Sequence, residues 1–89
     1  MKMLRLKEVQ THQGRSSRSS VYAAVRDGLL TKSVPLGKRS VGWPDYEIEA
    51  ICAAMIAGQA DHEIRALVVS LHELRGQRLD RIKGALNVQ

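Results

Sequence analysis

Lys38 and Arg39 stand beside Gly37 in the stretch Leu36-Gly37-Lys38-Arg39-Ser40-Val41-Gly42-Trp43. Upstream, Ser19, Tyr22, Ala23 and Arg26 recur at i, i+3, i+4 and i+7, with Arg18 beside them, a spacing that one face of a helix presents to solvent. These side chains are suited to gripping anions and hydrogen-bonding edges. Arginine binds a guanine edge or a phosphate in a two-pronged geometry, hydroxyls donate to phosphate oxygens, and alanine permits close approach. A cationic tip on a short hairpin suits the phosphates or the narrow groove beside such a helix.

Residues able to make and break bonds are not arranged for it. His12, His62 and His72 are far apart and lack metal-ligand spacing. Cys52 falls within an apolar helical stripe, where a cysteine acts as a small hydrophobe. Asp45 and Glu47 read as acids at a helix start rather than as a catalytic pair. No phosphate-binding glycine loop or nucleophile motif is present. The expectation is a non-enzymatic binding protein with no cofactor and no metal.

The charge distribution points the same way. Residues 1–43 hold Lys2, Arg5, Lys7, Arg15, Arg18, Arg26, Lys32, Lys38 and Arg39 against only Glu8 and Asp27, a net +7 within a chain of net +5. The second half is slightly acidic. An excess confined to one half marks where a polyanion would bind. A lone cysteine excludes an internal disulfide and fits a reducing cytoplasm, and no apolar run approaches the roughly 20 residues of a membrane span. No secretory signal is visible. With 89 residues, no Phe and one Trp, the core is aliphatic and thin.

The elements that must position these residues follow from periodicity and punctuation. Leu6 to Gln13 reads as a helix ending at Gly14, and Arg15-Ser16-Ser17 as a tight turn. A second helix runs from Arg18 to Asp27 with Ser16 or Ser17 as N-cap, its Val21, Ala24 and Val25 facing inward, and Gly28 stops it. Helix, short turn, helix is the helix-turn-helix arrangement. Ser33–Leu36 and Arg39–Trp43 form two strands of a hairpin, with Pro35 confining the first to an edge and Trp43 anchored in the core. Pro44 opens a third helix with the stripe Ile48, Ile51, Cys52, Met55 and Ile56, ending at Gly58. The fold class is therefore mainly α with a small β-hairpin: a winged helix-turn-helix over residues 1–58. A C-terminal amphipathic helical tail follows over 59–89. In the tail, Ile64, Leu67, Val68, Leu71 and Leu74 form a stripe for self-association or for docking on the head, with Asp61 as N-cap. Gly76 is expected to interrupt or kink this helix, and Leu79, Ile82 and Leu86 continue it.

These segments resemble the AlpA-type regulators and the related phage excisionases, small winged-helix proteins with MerR-like heads. The resemblance begins at Leu4-Arg5-Leu6-Lys7-Glu8-Val9 and continues through Ser17-Arg18-Ser19-Ser20-Val21-Tyr22. It is strongest in Val34 and Leu36 to Trp43, followed by Glu47-Ile48, so that it covers about residues 4–57. It implies DNA binding through the second helix and the wing by Arg18, Ser19, Tyr22, Ala23, Arg26, Lys38 and Arg39, and a home on a prophage or other mobile element. Members regulate promoters, or act as directionality factors that bind attachment-site DNA in several copies, bend it and bias an integrase toward excision. Two departures stand out. Pro35 replaces a usual cation, and the turn Gly14-Arg15-Ser16-Ser17 is one residue longer and more basic, so that Arg15 adds a phosphate contact or shifts the register.

The sequence therefore leads to an excisionase of a mobile element in the bacterial cytoplasm and nucleoid, acting on double-stranded DNA with an integrase or recombinase partner. The alternative is a promoter-binding regulator with the same head. A third possibility, from another class, is an adaptor whose tail helix binds a protein partner.

Overall fold

A computed structural model describes residues 1–87. Its elements in order are β1 (Met3–Arg5), α1 (Leu6–His12), α2 (Arg18–Arg26), β2 (Val34–Pro35), β3 (Val41–Pro44), α3 (Asp45–Ile56) and α4 (Asp61–Leu86). This is the winged helix-turn-helix with a helical tail expected from the sequence. The sheet, however, has a third strand: β3 lies between β1 and β2, antiparallel to both. β1 is three residues long and runs straight into α1, too short to show an alternating pattern. Pro35 does lie on an edge strand, where its missing N–H costs no ladder bond.

Helix-turn-helix geometry rests on the turn between α1 and α2. Gly14 takes a positive φ of 64°, donates to Thr11 O, and is followed by Arg15 N donating to Gln10 O at 2.9 Å. This paired closure satisfies the last carbonyls of α1 and reverses the chain. Ser17 then caps α2, its Oγ accepting from Ser20 N at 3.2 Å. The wing is equally constrained. Leu36 N donates to Ser40 O at 2.8 Å across the hairpin end. A Cβ on Gly42 would stand 2.7 Å from Leu36 Cδ1 and 3.1 Å from Leu4 O, so a side chain there requires Leu36 to turn away and the β1 backbone to shift.

Leu4, Val9, Val21, Leu30, Trp43, Ile48 and Ile51 are buried in one core that also takes in Ile64, Val68 and Leu71 of α4. Trp43 is wholly buried, and its Nε1 donates to Thr31 O at 2.7 Å. Head and tail thus share one hydrophobic centre across the boundary at residue 58. Three of the five stripe residues expected for self-association, Ile64, Val68 and Leu71, are spent on the head; Leu67 is half-buried and Leu74 exposed. Val69 is exposed on the opposite face, and the stripe itself continues uncovered in Leu79, Ile82 and Leu86. α4 runs unbroken through Gly76, and Ala60, not Asp61, occupies its N-cap position. Glycine lowers helix stability by about 1 kcal/mol against alanine, which the neighbouring turns outweigh.

On α3 the inward face is Glu47, Ile48, Ile51 and Ala54, whereas Met55 and Ile56 of the expected stripe are exposed and Cys52 is half-buried. Glu47 is fully buried, and its two oxygens accept from Arg75 Nε and Nη2 of α4 at 2.8 and 2.7 Å.

Candidate nucleic-acid interface

The end of β1, α1, α2 and the wing border an open cavity of about 510 Å³ lined by Arg5, Leu6, Lys7, Gln10, Arg18, Tyr22, Arg39, Ser40 and Val41. Three of the residues singled out from the sequence, Arg18, Tyr22 and Arg39, meet there. Arg18 comes from the first turn of α2, Tyr22 from the next turn, half-exposed, and Arg39 from the hairpin tip. Ser19, Arg26 and Lys38 lie outside the cavity and are exposed; Ala23 is half-buried. Arg26 approaches Asp27 at 3.7 Å, a solvent-exposed pair too weak to hold the guanidinium in place.

Arg15 is set apart from the others. Its Nε donates to Gln13 Oε1 at 2.9 Å, its Nη1 donates to Ser20 O at 3.4 Å, and it lines a separate groove with Leu29, Met55 and Asp61. Its guanidinium braces the turn into α2 rather than facing the cavity.

The electrostatics of the cavity are one-sided. Four cations line it and no acid does. None of the four forms an ion pair among the described residues. The nearest acid by sequence, Glu8, is engaged elsewhere: its carboxylate accepts from Arg5 N at 3.0 Å and pairs with Lys2 Nζ at 3.1 Å. The Arg5 amide, and then Lys2, hold its pKa below the usual carboxylate value, so it stays ionised. Cations gathered around a solvent-filled space repel one another, and an anion placed among them relieves that repulsion.

Arg5, Lys7 and Gln10 were not singled out from the sequence beyond the overall charge excess. The pairing of Arg5 with Gly42 explains their arrival. Once β1 joins β3, the start of α1 stands beside the wing, and cations counted as helix-start surface become part of a shared wall. The one available signal was the Arg5-Leu6-Lys7 sequence itself, with cations flanking an apolar residue.

A family model described as Prophage CP4-57 regulatory protein (AlpA) matches residues 2–52, more than half of the chain. The chain belongs to the AlpA family. No curated protein and no solved structure matches it. The matched stretch takes in every residue lining the cavity and stops within α3. This AlpA-family chain thus carries its cationic face inside the family stretch and its long α4 outside it. A regulatory, DNA-binding role belongs to the family. Burial raises the Cys52 thiol pKa above its ordinary value, which makes it a poor nucleophile, and no described helix is long and apolar enough to cross a membrane.

Proposed function

We propose that this AlpA-family protein is a sequence-specific DNA-binding excisionase of a mobile element, acting in the bacterial cytoplasm on the nucleoid. It binds and bends attachment-site DNA and biases an integrase or recombinase toward excision. The observation that carries the reading is the unpaired cationic cavity between α2 and the wing, built by Arg18 and Arg39. α2 enters the major groove with Arg18, Ser19, Tyr22, Ala23 and Arg26, and Lys38 and Arg39 reach the adjacent minor groove or its phosphates. Arg15 supports the same surface by holding the turn that aims α2.

The second reading is a promoter-binding regulator using the same contacts, and the regulatory description of the family favours it. Footprinting across the attachment site and the neighbouring promoters separates the two. Protection with bending at the attachment site supports excision, and tight protection of a promoter alone supports regulation. Glutamate substitutions at Arg18, Arg26, Lys38 and Arg39 together should abolish both. Full retention of binding would refute the whole surface.

Copies bound side by side should cooperate through α4. The face that docks Ile64, Val68 and Leu71 on the head continues as the uncovered Leu79, Ile82 and Leu86, beside Arg78, Arg81 and Lys83. The occupant of this stripe is a neighbouring copy on the same DNA. Its counterpart on the next copy is another exposed apolar patch, Met55 with Ile56 at the end of α3, where Met55 shares a groove with Arg15 and Asp61. Such a head-to-tail contact propagates along a duplex rather than closing into a dimer. Serine at Leu79, Ile82 and Leu86 should reduce cooperativity while leaving single-site affinity intact; unchanged cooperativity would exclude the contact.

A further inference from the structure

The cavity has two walls that recognition by α2 and the wing does not require: Arg5 and Lys7, at the junction of β1 and α1, with Gln10 one helical turn beyond Leu6. We infer that this cavity is a seat for the sugar-phosphate backbone of the strand passing between the major-groove helix and the wing, with Arg5 and Lys7 as its phosphate-binding residues. The inference rests on the DNA-binding reading above and extends it to a third element of the fold.

The argument comes from the cavity's composition and its place. Both side chains are exposed and make no hydrogen bond or ion pair among the described residues. The Arg5 backbone from which the first projects is nonetheless fixed twice, by its pairing with Gly42 and by its N–H donating to Glu8. Arg18 and Arg39 face them from α2 and the hairpin, so that cations from three separate elements converge on one space. A volume of about 510 Å³ far exceeds one phosphate group and leaves room for the adjoining sugar. Leu6, Val41 and the Tyr22 ring supply apolar lining suited to a deoxyribose face, while Gln10 and Ser40 offer neutral hydrogen-bonding groups. A duplex with α2 in one groove and the hairpin in the next must carry its backbone across the ridge between them, and the cavity lies between those two elements. Phosphate contacts of this kind set register and orientation without reading sequence.

The test uses the full chain with Arg5→Ala and Lys7→Ala, singly and combined. Binding is measured on specific and unrelated duplexes over a range of salt. A second set of specific duplexes each carries one neutral methylphosphonate linkage, and inorganic phosphate is titrated as a competitor. The combined variant should melt at or above the wild-type temperature, because mutual repulsion is relieved. It should lose affinity for specific and unrelated duplexes by the same factor, and its salt slope should fall by about one for each phosphate it no longer neutralises. One or two neutral linkages should weaken the wild type and leave the combined variant unaffected. A wild-type affinity and slope in the variant would overturn the seat while leaving α2 and the wing as the interface. Inorganic phosphate competing as strongly as duplex would place a free phosphate there and overturn the backbone assignment. If the wild type binds no duplex at all, the DNA-binding reading fails first, and the seat falls with it.

Discussion

Replacing Arg75 by alanine should unfold this protein at a far lower temperature than any substitution on its cationic face. Arg75 sends two hydrogen bonds to Glu47 and a third, at 2.7 Å, to Lys32 O. Glu47 is completely buried, so the alanine variant strands a carboxylate with its charge uncompensated. Removing one partner of a buried pair costs about 3–5 kcal/mol. A domain of this size is stable by about 0.05–0.15 kcal/mol per residue, so the loss takes a large share of the whole. At about 4–8 °C per kcal/mol, the melting temperature should fall by at least ~12 °C. Thermal and urea unfolding followed by far-ultraviolet circular dichroism measures it. The control is the double substitution Glu47→Leu with Arg75→Met, which removes both charges and should recover most of the loss, since a buried pair is often no better than a well-packed apolar one. If the single variant melts within about 4 °C of wild type, or the double is no better than the single, the pair is not what holds α4 to the head.

Gly42→Ala should destabilise the wing by about 1–3 kcal/mol, because the new methyl meets Leu36 Cδ1 and the Leu4 carbonyl at once; urea unfolding reads the change, and a neutral result would show that the three strands can spread. Trp43→Phe should cost about 1–3 kcal/mol through the Thr31 carbonyl left without its donor, and the same unfolding measurement applies. Stability should also fall as the solution is acidified below the ordinary histidine pKa of 6.5. Burial, and then Arg75, lower the His72 pKa in the folded state, so the unfolded chain takes up the proton first and the native state loses ground as pH drops through that window. The Lys32 N–H that donates to His72 Nε2 at 3.0 Å loses its acceptor on protonation. His72→Gln should flatten this part of the pH profile, and an unchanged slope would assign it to another group.

The chain's helices and its hairpin were legible because their signals are local: glycine at three helix ends, serine at the start of α2, and apolar residues at helical spacing. Trp43 as a core anchor and Pro35 on an edge were legible for the same reason. The facts that escaped depend on residues distant in sequence. β1 exists because β3 pairs with it, and Glu47 faces inward because Arg75 stands opposite, 28 residues away. The site divided along the same line. Arg18, Tyr22 and Arg39 could be picked from helix spacing and turn chemistry, whereas Arg5 and Lys7 joined them only through the β1–β3 pairing. The uncovered stripe on α4 begins later than periodicity suggested, because periodicity marks an apolar face and cannot say how much of it the head will take.

Three side chains of α4 hold backbone atoms at the two ends of the linker between α2 and the hairpin. Arg65 Nε donates to Asp27 O at 2.9 Å, while His72 and Arg75 hold the amide and carbonyl of Lys32. α4 thus braces both ends of the segment that joins α2 to the hairpin. A clamp assembled in advance loses less conformational freedom on closing, so under the proposed DNA-binding reading part of the affinity of the cationic face depends on α4. A fragment ending at Gly58 would keep every residue of that face and forfeit its preorganisation.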